Sequence, residues 1–206
     1  MPVTLRGTQD EHNQGRAQRL ETRQRLLDAA TAEYGRKGIA GADLNAIVGE
    51  VGVARGTFYF HFPTKEHALV DIEARQEDLI AAELGDYLAT GPGLAEALAK
   101  TIELIADIEI RLGKHLFKDL VALRFSPNRP VSEQWREHKV ITLVVELIES
   151  AQRRGEAEIV VDPYHSAVFF LLGVYGLLAV TIDADQLRTE SADSYLTYTL
   201  RSLQAR

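Results

Sequence analysis

Residues 53–67 read VARGTFYFHFPTKEH. Phe58 and Phe62 stand four apart, so on a helix they share a face and turn toward a core. Arg55, Thr57, Tyr59 and Phe60 then point elsewhere. A helix this short has little reason to expose Tyr59 and Phe60 unless DNA or another protein covers them. Pro63 closes the stretch. Thr64 can cap a following helix whose first turn holds Lys65 and Glu66.

Upstream, Leu20 to Lys37 has a helical pattern, with Leu20, Leu27, Ala30 and Tyr34 on one face and Leu26 beside them. Gly38 follows Arg36 and Lys37, a usual helix stop. Asp43 is placed to cap a second, short helix whose inner face is Leu44, Ile47, Val48 and Val51. Gly52 ends it, Val53 packs inward, and a third short helix starts near Ala54. Two short helices joined by a glycine-containing turn form a helix-turn-helix. Residues 1–17 are polar without apolar periodicity and read as a flexible arm. Its Arg6 and Arg16, with Arg19 just beyond, are either solvated or set against phosphates or a minor groove.

Downstream, helical patterns cover about Lys65–Leu88, Leu94–Leu112, His115–Phe125, Val131–Arg154, Pro163–Ile182 and Asp185–Leu203, punctuated by Gly91-Pro92-Gly93, Gly113, the two prolines Pro127 and Pro130, and Gly155. No stretch alternates as a strand does, so the chain is expected to be all-α, with about nine helices. The division that follows is an arm (1–17), a helix-turn-helix head (18–63) and a helical body (64–206). In the body, Glu96, Lys100, Glu103 and Asp107 step by three and four and read as one solvated stripe.

Composition narrows the function. The chain has 206 residues and no cysteine, which excludes a disulfide scaffold, thiolate metal sites and a cysteine nucleophile. No signal-peptide pattern opens the sequence, so a cytoplasmic location is expected. The most apolar run, Ala167–Val180, falls short of the roughly 18–20 residues that span a bilayer, so no membrane partner is expected. Net charge is −7, yet residues 1–67 hold nine Lys/Arg against eight Asp/Glu while the remainder holds 14 against 22. The field at a binding face follows local charge, so a near-neutral head on an acidic body is compatible with DNA. No His-Glu-x-x-His, Gly-x-Ser-x-Gly or phosphate-cradling glycine loop occurs, and the spacing of His61, Glu66 and His67 across a proline does not suit a metal. An enzyme, a cofactor and a metal are therefore not expected.

In the head, Arg55 sits where recognition helices present side chains to base edges, and its guanidinium can pair with guanine O6 and N7. Gly56 lets backbone approach a duplex, and Thr57 can reach a base edge or press on a thymine methyl. Tyr59 carries a hydroxyl fit for a phosphate. Phe60 either touches a thymine methyl or sugar edge or packs on the first helix. His61 either bonds within the head or meets phosphate. Lys65, at a helix N-terminus, is expected to clamp a phosphate, and Asn45 is a lesser base or phosphate candidate.

The head resembles the TetR family of bacterial transcriptional regulators. The resemblance rests on Gly38, then Ile47 to Gly52–Val53, then Gly56, Tyr59, His61, Phe62, Lys65 and Glu66, with spacing kept through residues 20–69. One departure is Ala42–Asp43, where the family often has Ser or Thr contacting phosphate. The resemblance implies a homodimer of all-helical subunits, a head that binds double-stranded operator DNA, and a body that binds a small-molecule inducer; a repressor is the family's habit. A roughly palindromic operator goes with such a dimer. The last two helices have apolar faces larger than either needs for the other, and Phe169, Leu172, Gly173, Gly176, Leu196 and Leu200 are assigned to the subunit interface. The inducer pocket is placed between the linker helix and the next three. Ile102, Ile105, Phe117, Phe125 and Trp135 are its candidate apolar walls, and His115 and His138 its polar anchors. The alternative is a helical protein-interaction module without DNA binding.

Overall fold

A computed structural model describes residues 6–127, 129–130, 138–157 and 162–203. Among these the chain is all-α: α1 (Arg6–Gly41), α2 (Leu44–Val51), α3 (Arg55–His61), α4 (Lys65–Leu88), α5 (Leu94–Leu112), α6 (Lys114–Arg124), α7 (Lys139–Arg153), α8 (Pro163–Val180) and α9 (Asp185–Leu203). The expected ends of α4, α5 and α9 coincide with these bounds. Helix α7 begins at Lys139, and the expected residues 131–137 ahead of it lie outside the described part.

Helix α1 starts at Arg6, well ahead of the Leu20 start read from the apolar pattern. Its early turns lack an apolar stripe, so periodicity does not mark them. At Gly38 the backbone leaves helical geometry (φ 69°), and a last turn carries the chain to Gly41. Leu26, Leu27, Ala30 and Tyr34 form its buried face, while Leu20 is exposed. That face meets α2 and α4 in the head, and α1 also lies along α6 of the body. The approach is close. A Cβ on Gly35 would come within 2.8 Å of the Leu112 carbonyl oxygen at the end of α5, so only glycine fits there.

In the body, α4 packs on α5 and α7, and α7 on α8, which in turn meets α9. The apolar spacing of α5 buries Leu94, Leu98, Leu104, Ile105 and Ile108; of the expected stripe, Glu96 and Glu103 are exposed and Lys100 and Asp107 half-buried. Helix α8 is long and apolar enough to cross a bilayer by length and composition. Here Ala167, Phe170, Leu171, Val174 and Leu178 bury its inner face.

Candidate nucleic-acid interface and ligand cavity

The turn between α1 and α2 is fixed by charge. Asp43 caps α2, its Oδ1 accepting from the Asn45 N–H at 2.8 Å. The Asp43 N–H in turn donates to Glu33 Oε1 at 3.0 Å. Glu33 is only 1% exposed and also pairs with Arg36 (2.5 Å) and Lys37 (2.9 Å). The Asp43 N–H, then Lys37, hold its carboxyl below the usual 4.5. This buried carboxylate is absent from the sequence reading; Glu33 followed at three and four residues by Arg36 and Lys37 was the available signal.

Lys65 is a correction. Its ammonium does not stand outward for a phosphate but donates to the carbonyls of Ile39 (3.2 Å) and Ala42 (2.7 Å). The α1–α2 turn leaves backbone acceptors unpaired, and the lysine at the start of α4 satisfies them. Thr64 occupies the N-cap position, yet its hydroxyl pairs with the His67 ring at 3.0 Å.

Helix α3 divides as its spacing predicts. Phe58 and Phe62 are buried, their rings 5.4 Å apart. Arg55, Gly56, Tyr59 and Phe60 are exposed and Thr57 half-buried. At 66% exposure, Phe60 is not packed into the head. Instead the Arg19 guanidinium stands 5.5 Å over its ring, and Arg55 stands 6.0 Å over Tyr59. Among the described residues neither arginine has a carboxylate partner, so both keep their full charge toward solvent. Asn45 is exposed on α2. His61 is half-buried, and burial followed by Arg23 and Arg19 lowers its pKa, so the ring is neutral at neutral pH. Its carbonyl accepts from Arg23 at 3.1 Å, and Arg23 also pairs with Asp71 of α4. Such a surface presents two unpaired guanidiniums, a phenol and an apolar ring beside a bare glycine backbone, which suits phosphates and base edges together.

A cavity of about 430 Å³ opens between the end of α6, α7 and α8. Arg124, Arg129 and His138 stand at one part of its wall, and Ile141, Val168, Leu171 and Leu172 supply apolar wall. A smaller space of about 20 Å³ adjoins it, sharing Arg124 and Tyr175 and reaching Glu73 and Phe117. Of the residues assigned to a pocket by sequence, His138 lines the larger space and Phe117 the smaller. Four others need correcting. His115 is exposed in the first turn of α6, because Leu116, Phe117 and Leu120 take the inner face. Phe125, just past the helix, is 53% exposed. Ile105 is fully buried and Ile102 partly buried against the core, where they pack rather than line the cavity. Trp135 lies outside the described residues. The charged residues Arg124, Arg129 and Glu73 were missed because their partners are far apart in sequence.

On α8, Phe169 is 65% exposed, Leu172, at the edge of the cavity wall, is 44% exposed, and the space beside Gly176 is open. Val180 and Tyr198 add exposed apolar surface that the sequence reading did not include. Leu196 and Leu200 are half-buried on α9. Gly173 needs correcting. A Cβ there would meet the Tyr195 hydroxyl of the same chain at 2.1 Å, and that hydroxyl donates to the Phe170 carbonyl at 2.9 Å. The glycine serves packing of α9 on α8, not a partner subunit.

The head is thus that of a helix-turn-helix protein, with a seven-residue third helix exposing one side. Residues 26–71 match the bacterial regulatory proteins of the tetR family, so the head is similar to theirs. The HTH-type transcriptional repressor KstR of Rhodococcus jostii is 27% identical over 177 residues, covering 74% of this chain and 84% of its own length. A probable acrEF/envCD operon repressor of Escherichia coli is 33% identical over 98 residues, 45% of this chain and 44% of that protein. In fold, the chain is similar to Thermus thermophilus FadR, a TetR-family transcriptional repressor in complex with lauroyl-CoA (TM-score 0.69, 22% identity, 89% of this chain and 96% of that one). It is also similar to Bacillus subtilis FadR in complex with stearoyl-CoA (TM-score 0.66, 16% identity, 88% and 99%).

Proposed function

We propose that this chain is a cytoplasmic, ligand-responsive transcriptional repressor that binds a roughly palindromic operator as a homodimer and leaves it when a small molecule enters the body. In this reading residues 18–63 form the DNA-binding unit and residues 64–206 hold the ligand and the partner subunit. The observation that carries it is the exposed side of α3: Arg55, Gly56, Tyr59 and Phe60 stand free while Phe58 and Phe62 anchor the helix. Bases are read by Arg55 and Thr57; Tyr59, with Asn45 on α2, takes phosphates. Lys65 contributes by holding the α1–α2 turn against α4. The outer face of α8, with Phe169 and Leu172, meets its two-fold mate in a four-helix contact with α9.

The test is selection of bound duplex from a random library, followed by gel shifts over a salt series. The repressor reading expects an enriched inverted repeat and binding that weakens steeply with salt. Failure to enrich any sequence, with heparin retention indifferent to salt, points to the protein-interaction module instead.

A further inference from the structure

Glu73 of α4 is 6% exposed and holds two guanidiniums. Arg124 Nη2 lies 2.6 Å from its Oε1, and Arg129 Nη2 lies 2.6 Å from its Oε2. Arg129 also donates through Nη1 to Oε1 at 3.1 Å. The Arg124 guanidinium is held over the Tyr175 ring at 4.0 Å. Two oriented guanidiniums around one carboxylate make a carboxylate-recognition site, and the chain's own glutamate fills it.

Arg124 and Tyr175 form the partition between the small space that Glu73 reaches and the cavity of about 430 Å³. Among the described residues, the larger side is lined by the guanidiniums of Arg124 and Arg129 and the His138 ring, and its apolar wall is Ile141, Val168, Leu171 and Leu172. Neither Glu73 nor Glu77 faces that side. A cationic head entering there would meet two arginines. A wholly apolar guest would take water from this charged part of the wall and add no acceptor to it, which is unfavourable. An anion with an apolar tail matches both parts of the wall.

We infer that the cavity takes an amphipathic carboxylate whose head group competes with Glu73 for Arg124 and Arg129. This rests on the ligand-responsive reading above. The exchange has a route to the head. Glu73 lies on α4, whose first residue Lys65 grips the Ile39 and Ala42 carbonyls. Arg124 ends α6, whose Asp119 grips the Ile39 N–H. Replacing Glu73 with a ligand carboxylate removes the brace between two helices that both hold the α1–α2 turn.

The test is calorimetric titration of the full chain with decanoate, decanol, decyl phosphate and decyltrimethylammonium, each below its aggregation threshold. Decanoate is expected to bind at least about tenfold more tightly than the alcohol, and the ammonium compound not at all. In Glu73→Gln, which keeps the shape but removes the competing charge, decanoate is expected to bind about tenfold more tightly than in the wild type, with decanol unchanged. Decanoate should also raise the unfolding temperature of that variant more than that of the wild type. Equal binding of decanol or the ammonium compound, preference for decyl phosphate, no binding of any probe, or an unchanged decanoate affinity in Glu73→Gln would overturn the inference. Should the variant fail to fold, the wild-type series decides alone. DNA binding without ligand is measured separately by gel shift, so the repressor reading and this one fail independently.

Discussion

Asp119 on α6 accepts a hydrogen bond at 2.6 Å from the backbone N–H of Ile39, eighty residues earlier and just past the Gly38 break in α1. The same peptide segment offers its Ile39 carbonyl to Lys65 of α4. One short piece of backbone is therefore held from two sides, by a body helix and by the linker helix. Asp119→Ala leaves the Ile39 N–H unpaired in a partly enclosed place, with an expected loss of about 1–3 kcal/mol. Thermal unfolding should show it, together with a weaker effect of any releasing ligand on DNA affinity. An unchanged midpoint would remove Asp119 from this role.

Lys65→Met keeps the aliphatic stem and removes the two bonds to Ile39 and Ala42. Stability is expected to fall by about 1–3 kcal/mol, because the carbonyls lose their charged donor. Affinity should drop alike for operator and random duplex. A variant as stable as the wild type that loses only DNA affinity would return Lys65 to a phosphate role.

Arg55→Ala is expected to weaken operator binding by about 1–3 kcal/mol at particular base pairs while leaving random duplex nearly untouched. Competition gel shifts at fixed salt measure the ratio. Equal loss on both kinds of DNA would reduce Arg55 to a general cation.

Acid sensitivity follows from Glu33. Its folded-state pKa lies below the usual 4.5, chiefly through the Asp43 N–H and then Lys37. A depressed carboxyl contributes stability that is present above its unfolded pKa and lost as pH falls through the folded one. Wild type should therefore lose stability below about pH 4.5, and Glu33→Gln, weaker at pH 7, should lose less across that range. Parallel unfolding curves from pH 7 to pH 3 would contradict the assignment.

Replacing Phe169 and Leu172 by Glu puts two charges on the exposed side of α8. If that side meets a second copy, sedimentation should shift from a dimer to a 22.9 kDa species with the helical spectrum retained. A wild type already sedimenting as the smaller species would exclude the interface.

The head was legible because its signals are local. Asp43, Gly52 and the Phe58–Phe62 pair each act within one turn, and each stands where its spacing put it. Lys65 misled because a lysine at a helix start suits an anion, and only the fold brings the Ile39 and Ala42 carbonyls to it. The cavity was legible least. Glu73, Arg124 and Arg129 meet across α4, α6 and the loop beyond, and no periodicity records a charge cluster assembled from three segments. His115 and Phe125 were attractive by residue type alone, whereas α6 turns its aliphatic side inward and leaves both in solvent.

Helix α1 lies against α2 on one side and α6 on the other, with Gly35 pressed to the Leu112 carbonyl. Modularity is correspondingly limited. A fragment cut after Pro63 would strip α1 of its body-side cover, so operator measurements belong on the intact polypeptide. A chimera grafting this head onto a relative's body would need backbone that fits against Gly35 as the Leu112 carbonyl does and an acceptor in place of Asp119, or the transplanted reader would sit askew.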